Sequence, residues 1–324
     1  MKLKAAFFTS NPSNIDYVYS KGRLEQVKEL FEVCPEVITP ENFTANAAAL
    51  RDVQAIFSTW GMFSFSEAHF TAMPSLKAVF YGAGATDMFA RPFLARNIIV
   101  CSAWQANAIP VAEFAAAQII LGLKGYFRDM RCLKSPEDYR RHREFSGVFE
   151  DKVALIGAGA IAAKTEEFLK NYQIEVVVVP SRPERRTVSI EEAFKTAFVV
   201  SNHLPNRTDN QKVFRKEHFL SMRPGAVFIN TGRGAQVDEA GMIAALKERP
   251  DLTALLDVTS PEPPAADSEL YTLPNVHLSS HIAGSMNNEV VRMADYVIGD
   301  AVRWLKGEAL LYRIQENMLL TANS

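Results

Sequence analysis

Residues 153–170, VALIGAGAIAAKTEEFLK, carry an apolar run into a glycine-rich turn and then into a segment with helical spacing. The turn has the form GxGxxA, with Gly157, Gly159 and Ala162 at its fixed positions. Each position has a physical task if this is a strand–turn–helix that receives a dinucleotide. Gly157 permits the tight turn, and Gly159 lets the backbone approach a pyrophosphate with no Cβ in the way. Ala162 is small enough for the helix to lie close against the strand. Ala160 and Ile161 open the helix, where free N–H groups and the positive dipole end face the phosphates. The pattern alone is a weak signal, and the strand before it and helix after it make it specific.

On both sides of this turn the pattern alternates. After it come the strand-like runs EVVVV (175–179), AFVVSN (197–202), AVFIN (226–230), TALLDV (253–258) and VHLSS (276–280), separated by helical or turn-rich segments. Before it, AAFF (5–8), QAIFSTW (54–60), LKAVFYG (76–82) and NIIVCS (97–102) read as strands, and VYSKGRLEQVKELFEV (18–33) has helical periodicity. Such alternation predicts parallel sheets with helices on their faces. NAIPVAEFAAAQIILGLK (107–124) reads as a helix with Asn107 as N-cap and Pro110 near the first turn. The last helix, from about Asn287 to Lys306, is placed to pack back on the first domain. The expected fold is α/β, with two Rossmann-like doubly wound parallel-sheet domains and a cleft between them. A discontinuous domain spans 1–103 plus 288–324, and a dinucleotide-binding domain spans 104–287.

Composition narrows the class. A length of 324 residues suits two domains, and 48% apolar with 22% charged residues is ordinary for a globular chain. The formal charge of −2 argues against a nucleic-acid binder. Cys34, Cys101 and Cys132 lie far apart with no CxxC spacing, which fits packing in a reducing, cytoplasmic setting, and no metal ligand set is assigned. The N-terminal MKLKAAFFTSN has too short an apolar run for a secretory signal and reads as a first strand. The run AAAQIILGL (115–123) stops well short of the roughly 20 residues of a membrane span, so no membrane is expected. The charged stretch RDMRCLKSPEDYRRHREF (128–145) reads as a solvated surface, with a partner-binding arm as the alternative.

The end of EVVVVPSRPERR (175–186) bears on cofactor choice. A site for NAD usually carries a carboxylate there to hold the ribose hydroxyls. Here Pro180, Ser181 and Arg182 stand in that place, followed by Arg185 and Arg186. Ser and Arg can hydrogen-bond a 2'-phosphate that a carboxylate would repel, so NADP(H) is favoured. NAD(H) remains open, with these arginines facing solvent and Glu184 close by.

Three further segments bear on the chemistry. FINTGRGAQVDEAGMIAAL (228–246) carries Arg233 just past a strand end, ALLDVTSPEPP (254–264) carries Asp257 and Glu262, and LPNVHLSSHIAGS (273–285) carries His281. Strand ends of an open α/β sheet converge, and an Arg, a carboxylate and a His meeting there supply an anion clamp, an orienting base and a proton carrier. Taken singly, each of the three is an ordinary turn or surface residue.

With these residues in this order the chain resembles the D-isomer-specific 2-hydroxyacid dehydrogenases over nearly its whole length. LDVTSPEP (256–263) followed by LPNVHLSSHIAG (273–284) is closest to the glyoxylate/hydroxypyruvate reductase branch, and PSR (180–182) is similar to NADP-using members of that branch. The resemblance implies that Arg233, Glu262 and His281 are the catalytic trio and that Asp257 holds the nicotinamide carboxamide. It implies that His203 and Pro205 of NHLP (202–205), with Thr231 and Gly284, line the cofactor. It also implies that Gly82 and Ala83 of YGAGATD (81–87) grip the substrate carboxylate through backbone amides. The substrate would be a small 2-keto or 2-hydroxy acid, and the partner a second copy, joined through the long helix after Asn107. Thr86 and Asp87 stand where the family commonly has Asp-Asn, Ser260 where many members have a further Glu, and Asn210 where Thr is frequent, which weakens any transfer of substrate identity.

The chemistry implied is reduction or oxidation at C2. Arg233 binds the carboxylate and polarises the C2 oxygen, His281 gives or takes the proton, and Glu262 fixes the imidazole tautomer and favours its charged form. His69, His142, His218 and His277 lack such a setting and read as surface or packing residues. Trp60, Met62, Tyr81 and Trp104 fall near strand ends of the first domain, either lining a pocket for an apolar or sugar-like substrate tail or filling the core. A dinucleotide-sensing corepressor on the same scaffold is the rival reading. Formate dehydrogenases pair their His with Gln, and Glu262 argues against that branch.

Overall fold

The structure is a computed structural model that describes residues 2–140 and 146–319. His142 and the end of the charged stretch lie outside the described residues. The chain divides into two compact units, Met1–Asn107 with Ser285–Ser324, and Ala108–Gly284.

Among the described residues the first unit holds five strands: β1 (Lys4–Phe8), β2 (Glu32–Val33), β3 (Val53–Ser58), β4 (Ala78–Tyr81) and β5 (Ile99–Ser102). They form a parallel sheet in the order β2-β1-β3-β4-β5. β4 is buried along its whole length, as a parallel strand covered on both faces must be. Aromatic rings fill the core, with Phe57 within 5.3 Å of Phe31 and 5.2 Å of Phe80 by ring centroid. Val290, Met293, Ala294, Val297 and Ala301, on the helix Val290–Lys306, belong to the same core. Beyond that helix the chain runs along β5, where Ser102 N donates to Tyr312 O at 3.0 Å and Ile314 N to Val100 O at 2.7 Å. The buried Asp300 carboxylate accepts the N–H groups of Leu311 and Tyr312 and fixes this return.

Two helical expectations change. Residues 18–33 are not one helix: Ser13–Val18 and Arg23–Leu30 are separated by Lys21 and Gly22, both at positive φ (54° and 84°). Such a pair cannot continue a right-handed helix, and Glu32–Val33 then pairs with β1. The long helix runs Trp104–Leu123, so Pro110 lies inside it and Asn107 is no N-cap. The Asn107 side chain instead accepts from Ser285 N at 2.9 Å. At 20 residues this helix is long and apolar enough to cross a membrane by length and composition, where the sequence suggested a shorter run; just over half of its most apolar stretch is buried. Its far end packs Ile119 and Leu123 into the second unit's core.

Among the described residues the second unit holds six strands: β6 (Lys152–Ile156), β7 (Glu175–Val179), β8 (Val199–Asn202), β9 (Val227–Asn230), β10 (Thr253–Leu256) and β11 (Val276–Leu278). The parallel order is β11-β10-β9-β8-β6-β7. Chain direction across the sheet reverses between β6 and β8, and ligands of open α/β sheets bind at the carboxyl ends beside such a reversal. The glycine turn follows β6, and His203 follows β8. Arg131, in the charged stretch, is half-buried and donates to Thr253 Oγ1 at 2.8 Å and Pro250 O at 2.7 Å, so it braces β10 rather than standing in solvent.

Candidate active site

Gly157 has φ +122°, and a Cβ there would lie 2.4 Å from His203 O. Both the backbone angle and the contact demand glycine. The turn is thereby pressed against the start of the β8 loop. A Cβ at Gly159 would meet open space, and the helix Ala160–Leu169 that follows has no side-chain cap on its N-terminus. Its first amides, at Ala160 and Ile161, are therefore offered outward, and Ala162 is fully buried against the sheet. This geometry fits a pyrophosphate.

At the end of β7 the three arginines divide. Arg186 donates to Pro180 O at 2.8 Å and Ser181 O at 2.7 Å, so it braces the turn. The guanidinium groups of Arg182 and Arg185 have no hydrogen bond or ion pair among the described residues. Ser181 and Arg182 are half-exposed.

Directly past β8 and β9, His203 Nδ1 and Thr231 Oγ1 are buried with no hydrogen-bond partner among the described residues. Asn202 pairs with Asn230 in the sheet, so the residues after them are neighbours along its carboxyl edge. An unpaired buried polar atom is costly, and a dinucleotide carrying donors and acceptors would satisfy both. His203 Nε2 lies 2.9 Å from Ser201 Oγ, and burial pushes the His203 imidazole down to about 4, which keeps it neutral. Pro205 is half-buried, and its carbonyl accepts from Asn210 Nδ2 at 2.9 Å. The cradle, the open helix end, the free guanidinium groups and these two atoms together suit a nicotinamide dinucleotide.

Asp257, just past β10, is 3% exposed, yet its carboxylate is well supplied with donors. Oδ1 accepts from Ser279 Oγ at 2.6 Å and Ile282 N at 2.9 Å, and Oδ2 from Ala283 N at 3.0 Å. His281 N donates to Asp257 O at 3.0 Å. This grip holds His281 at φ +57°, a left-handed conformation that few side chains adopt. Its ring is turned to Glu262, with Nδ1 2.5 Å from Oε1. Asp257, Glu262, His281, Ser279, Thr259 and Tyr271 line one cavity of about 660 Å³.

Arg233 joins this group through its turn. A Cβ on Gly234 would lie 2.0 Å from the Thr259 carbonyl, so the Arg233–Gly234 turn rests directly on the backbone three residues before Glu262. The Arg233 side chain is exposed, and Nη1 donates to its neighbour Gly232 O at 2.8 Å. Gly284 is half-buried and ends the second unit. Sequence reading missed Ser279 and the buried amides Asn202, Asn230 and Gln236. The one signal available was an asparagine ending an apolar strand in VVSN and VFIN.

In the first unit the expected amide pair Gly82 and Ala83 needs correction. Gly82 N donates to Ser58 O at 2.8 Å, so that N–H is spent inside the sheet. The amides of Ala83 and Gly84 have no acceptor among the described residues, so they, unlike that of Gly82, are left to donate. Met62 and Tyr81 are buried in the core. Trp60 is 36% exposed and stacks on Tyr17, with ring centroids 6.4 Å apart.

The family model for the D-isomer specific 2-hydroxyacid dehydrogenase, NAD binding domain, matches residues 120–283, just over half of the chain. The chain is 27% identical over 236 residues to the D-3-phosphoglycerate dehydrogenase of Archaeoglobus fulgidus, which covers 70% of this chain and 44% of that protein. It is 38% identical over 105 residues to glyoxylate/hydroxypyruvate reductase B of Enterobacter agglomerans, covering 32% of each. The chain spans about half the length of the curated relatives it matches. Among solved structures, the NADPH-dependent glyoxylate/hydroxypyruvate reductase of Sinorhizobium meliloti, in complex with NADP and malonate, is similar in fold. Its TM-score is 0.68 at 22% identity, with 97% of this chain and 98% of that one covered.

Two predictions follow from the cradle. Gly157→Ala forces a Cβ into a carbonyl at positive φ, which costs more than about 2 kcal/mol; thermal unfolding should fall accordingly and dinucleotide binding should be lost. Wild-type melting in the variant would contradict the cradle geometry. For His203, the folded imidazole sits at about 4 against about 6.5 in the unfolded chain. The unfolded state therefore binds the extra proton between these values. Stability should fall as pH drops through that window, by roughly 1.4 kcal/mol per pH unit, and level off below it. Denaturant titrations of His203→Asn across the same range should lack that increment of slope.

Proposed function

This chain belongs to the D-isomer specific 2-hydroxyacid dehydrogenase family, and we propose that it interconverts a small 2-keto acid and its 2-hydroxy acid, glyoxylate or hydroxypyruvate being the nearest in kind. The observation that carries this reading is the Glu262–His281 contact at 2.5 Å, held in place by Asp257 and bordered by the Arg233 turn.

A bound nicotinamide dinucleotide supplies the hydride taken up at C2, or accepts it in reverse. Gly157, Gly159, Ala160 and Ile161 hold its pyrophosphate, and His203, Pro205, Thr231 and Asp257 line its path. Arg233, planar and permanently charged, pairs with the substrate carboxylate and draws charge onto the C2 oxygen. Glu262 accepts the Nδ1 proton of His281, which leaves Nε2 as the nitrogen that passes a proton to or from that oxygen. The exposure of the imidazole lets its proton be replaced from solvent between turnovers.

The cofactor reading favours NADP(H). Pro180, Ser181 and Arg182 rather than a carboxylate stand directly after β7, and Arg186 already braces the Pro180 and Ser181 carbonyls so that the turn is formed before binding. The Sinorhizobium reductase was solved with NADP. Glu184 keeps NAD(H) in view as the second cofactor. The phosphoglycerate dehydrogenases among the relatives name a larger acid. We assign the working form as a homodimer. The groove of about 540 Å³ along the long helix, lined by Ala116, Ala117, Ile120, Leu121 and Tyr172, leaves Leu121 and Tyr172 more than a third exposed, a surface that a second copy would cover. Three free cysteines suit work in the reducing cytoplasm.

Purified protein should oxidise NADPH faster than NADH with glyoxylate or hydroxypyruvate, followed by nicotinamide absorbance. Arg182→Ala should weaken NADPH binding about tenfold, the size of one charge-assisted contact, and leave NADH nearly unchanged. Equal use of both cofactors by the wild type would remove the NADP preference and leave the reaction class intact. His281→Ala should lose about 10²–10⁴-fold in turnover, with dinucleotide affinity retained. Near-normal turnover in that variant would exclude His281 as the proton carrier, and no turnover by the wild type with any keto acid would favour a dinucleotide-sensing protein.

A further inference from the structure

Beneath the Arg233 turn lie three buried side-chain amides, Asn202, Asn230 and Gln236, each no more than 1% exposed. Gln236 has every hydrogen-bonding position filled. Its Oε1 accepts from Arg233 N at 3.1 Å and from Asn202 Nδ2 at 2.6 Å. Its Nε2 donates to Leu204 O at 3.0 Å and to Pro205 O at 2.9 Å. The orientation of this amide is dictated by chemistry, since only an oxygen can meet the Arg233 N–H and only an NH₂ can meet two carbonyls.

The two asparagines complete the set. Asn202 Nδ2 also donates to Asn230 Oδ1 at 2.8 Å, while Asn202 Oδ1 accepts from Leu204 N at 3.0 Å. Asn230 Oδ1 accepts from Gly232 N at 3.1 Å, and Asn230 Nδ2 donates to Arg233 O at 3.3 Å. The Arg233 backbone is therefore held on both sides by side-chain amides. A Cβ on Gly232 would lie 2.6 Å from Asn202 Nδ2 and 2.9 Å from Gln236 Oε1, so the layer is packed without slack. One flat, saturated amide thus ties the His203–Pro205 loop to the Arg233 turn. A shift of either loop must break bonds to the other or carry it along.

We propose that Gln236 is a positioning residue that couples the two loops, so that dinucleotide bound along Leu204–Pro205 sets Arg233 for the keto acid, and the acid in turn tightens the dinucleotide. This rests on the functional reading above. It reaches further by making the acid's affinity depend on the cofactor through a residue that touches neither. Coupling of this kind is reciprocal by linkage and commonly amounts to about 5–150-fold.

The test is calorimetric titration of oxamate, a keto-acid analogue, into the full chain with and without saturating NADPH. The wild type should bind oxamate about tenfold or more tighter with NADPH present. In Gln236→Met, of similar volume but without the four bonds, NADPH should still bind and the ratio should fall to within about twofold of unity. A purely structural role would weaken both titrations and leave their ratio unchanged, which overturns the proposal. If Gln236→Met does not fold, Gln236→Glu serves: it keeps an acceptor for Arg233 N and loses the donors to Leu204 and Pro205. It should show near-wild-type oxamate affinity alone and no gain from NADPH, and a retained gain overturns the coupling. A wild-type ratio near one also removes the coupling and leaves the reading of the reaction in place. Absence of binding of both NADPH and NADH by the wild type defeats that reading as well.

Discussion

Asp257 sets a carboxyl group at a place almost without solvent. An ionised carboxylate can stay there only if donors replace the water it gave up. Ser279, Ile282 and Ala283 supply them, all from one loop, and the Asp257 carbonyl takes the His281 N–H besides. The consequence runs outward. The loop cannot relax, so His281 is kept at a positive φ that a free chain would leave, and its ring is presented to Glu262. Strain of this sort, about 1–3 kcal/mol, persists only where the surroundings over-determine it. The imidazole is thus positioned by a side chain that its ring does not itself touch.

The same logic recurs along the carboxyl edge of the second sheet. Gly157 admits the His203 carbonyl, Gly232 admits two amides, and Gly234 admits the Thr259 backbone. Each glycine is required by close approach of another chain segment, and each contact joins neighbouring strand-end loops. Turns that would be mobile in isolation become a rigid rim. Two atoms of that rim, His203 Nδ1 and Thr231 Oγ1, are buried with no partner among the described residues, and this contrasts with the saturation of Asn202, Asn230 and Gln236 close by. Satisfied groups hold the frame.

Much of this was legible in the residues. The alternating apolar runs marked every strand except β2, because a two-residue strand has no periodicity to read. GxGxxA named the turn, since its glycines answer to backbone geometry that is local. Helix limits were read less well. Pro110 drew the helix start to Asn107, yet the chain accommodates the proline within a helix starting at Trp104. Gly22 broke a helix that side-chain spacing alone suggested was continuous. The pairing of Glu262 with His281 came from resemblance, not spacing, because a contact between residues on separate loops leaves no local trace. For the same reason Gln236 was invisible: its partners at Asn202, Leu204 and Pro205 lie more than 30 residues away. The assignment of Gly82 as an anion donor failed on a single backbone bond to Ser58 that only the sheet register discloses.

The account turns on which nitrogen of His281 is free. Nitrogen-15 NMR of histidine-labelled protein, at a pH where the imidazole is neutral, reads the tautomer directly, with His281→Ala to assign the signal. If Glu262 holds Nδ1–H, as a carboxylate oxygen 2.5 Å from Nδ1 requires of a neutral ring, the proton sits on Nδ1 and leaves Nε2 bare, and Glu262→Gln disturbs that state. A wild-type ring protonated on Nε2 would mean that Glu262 does not orient it, and the assignment of proton transfer to this pair would be wrong.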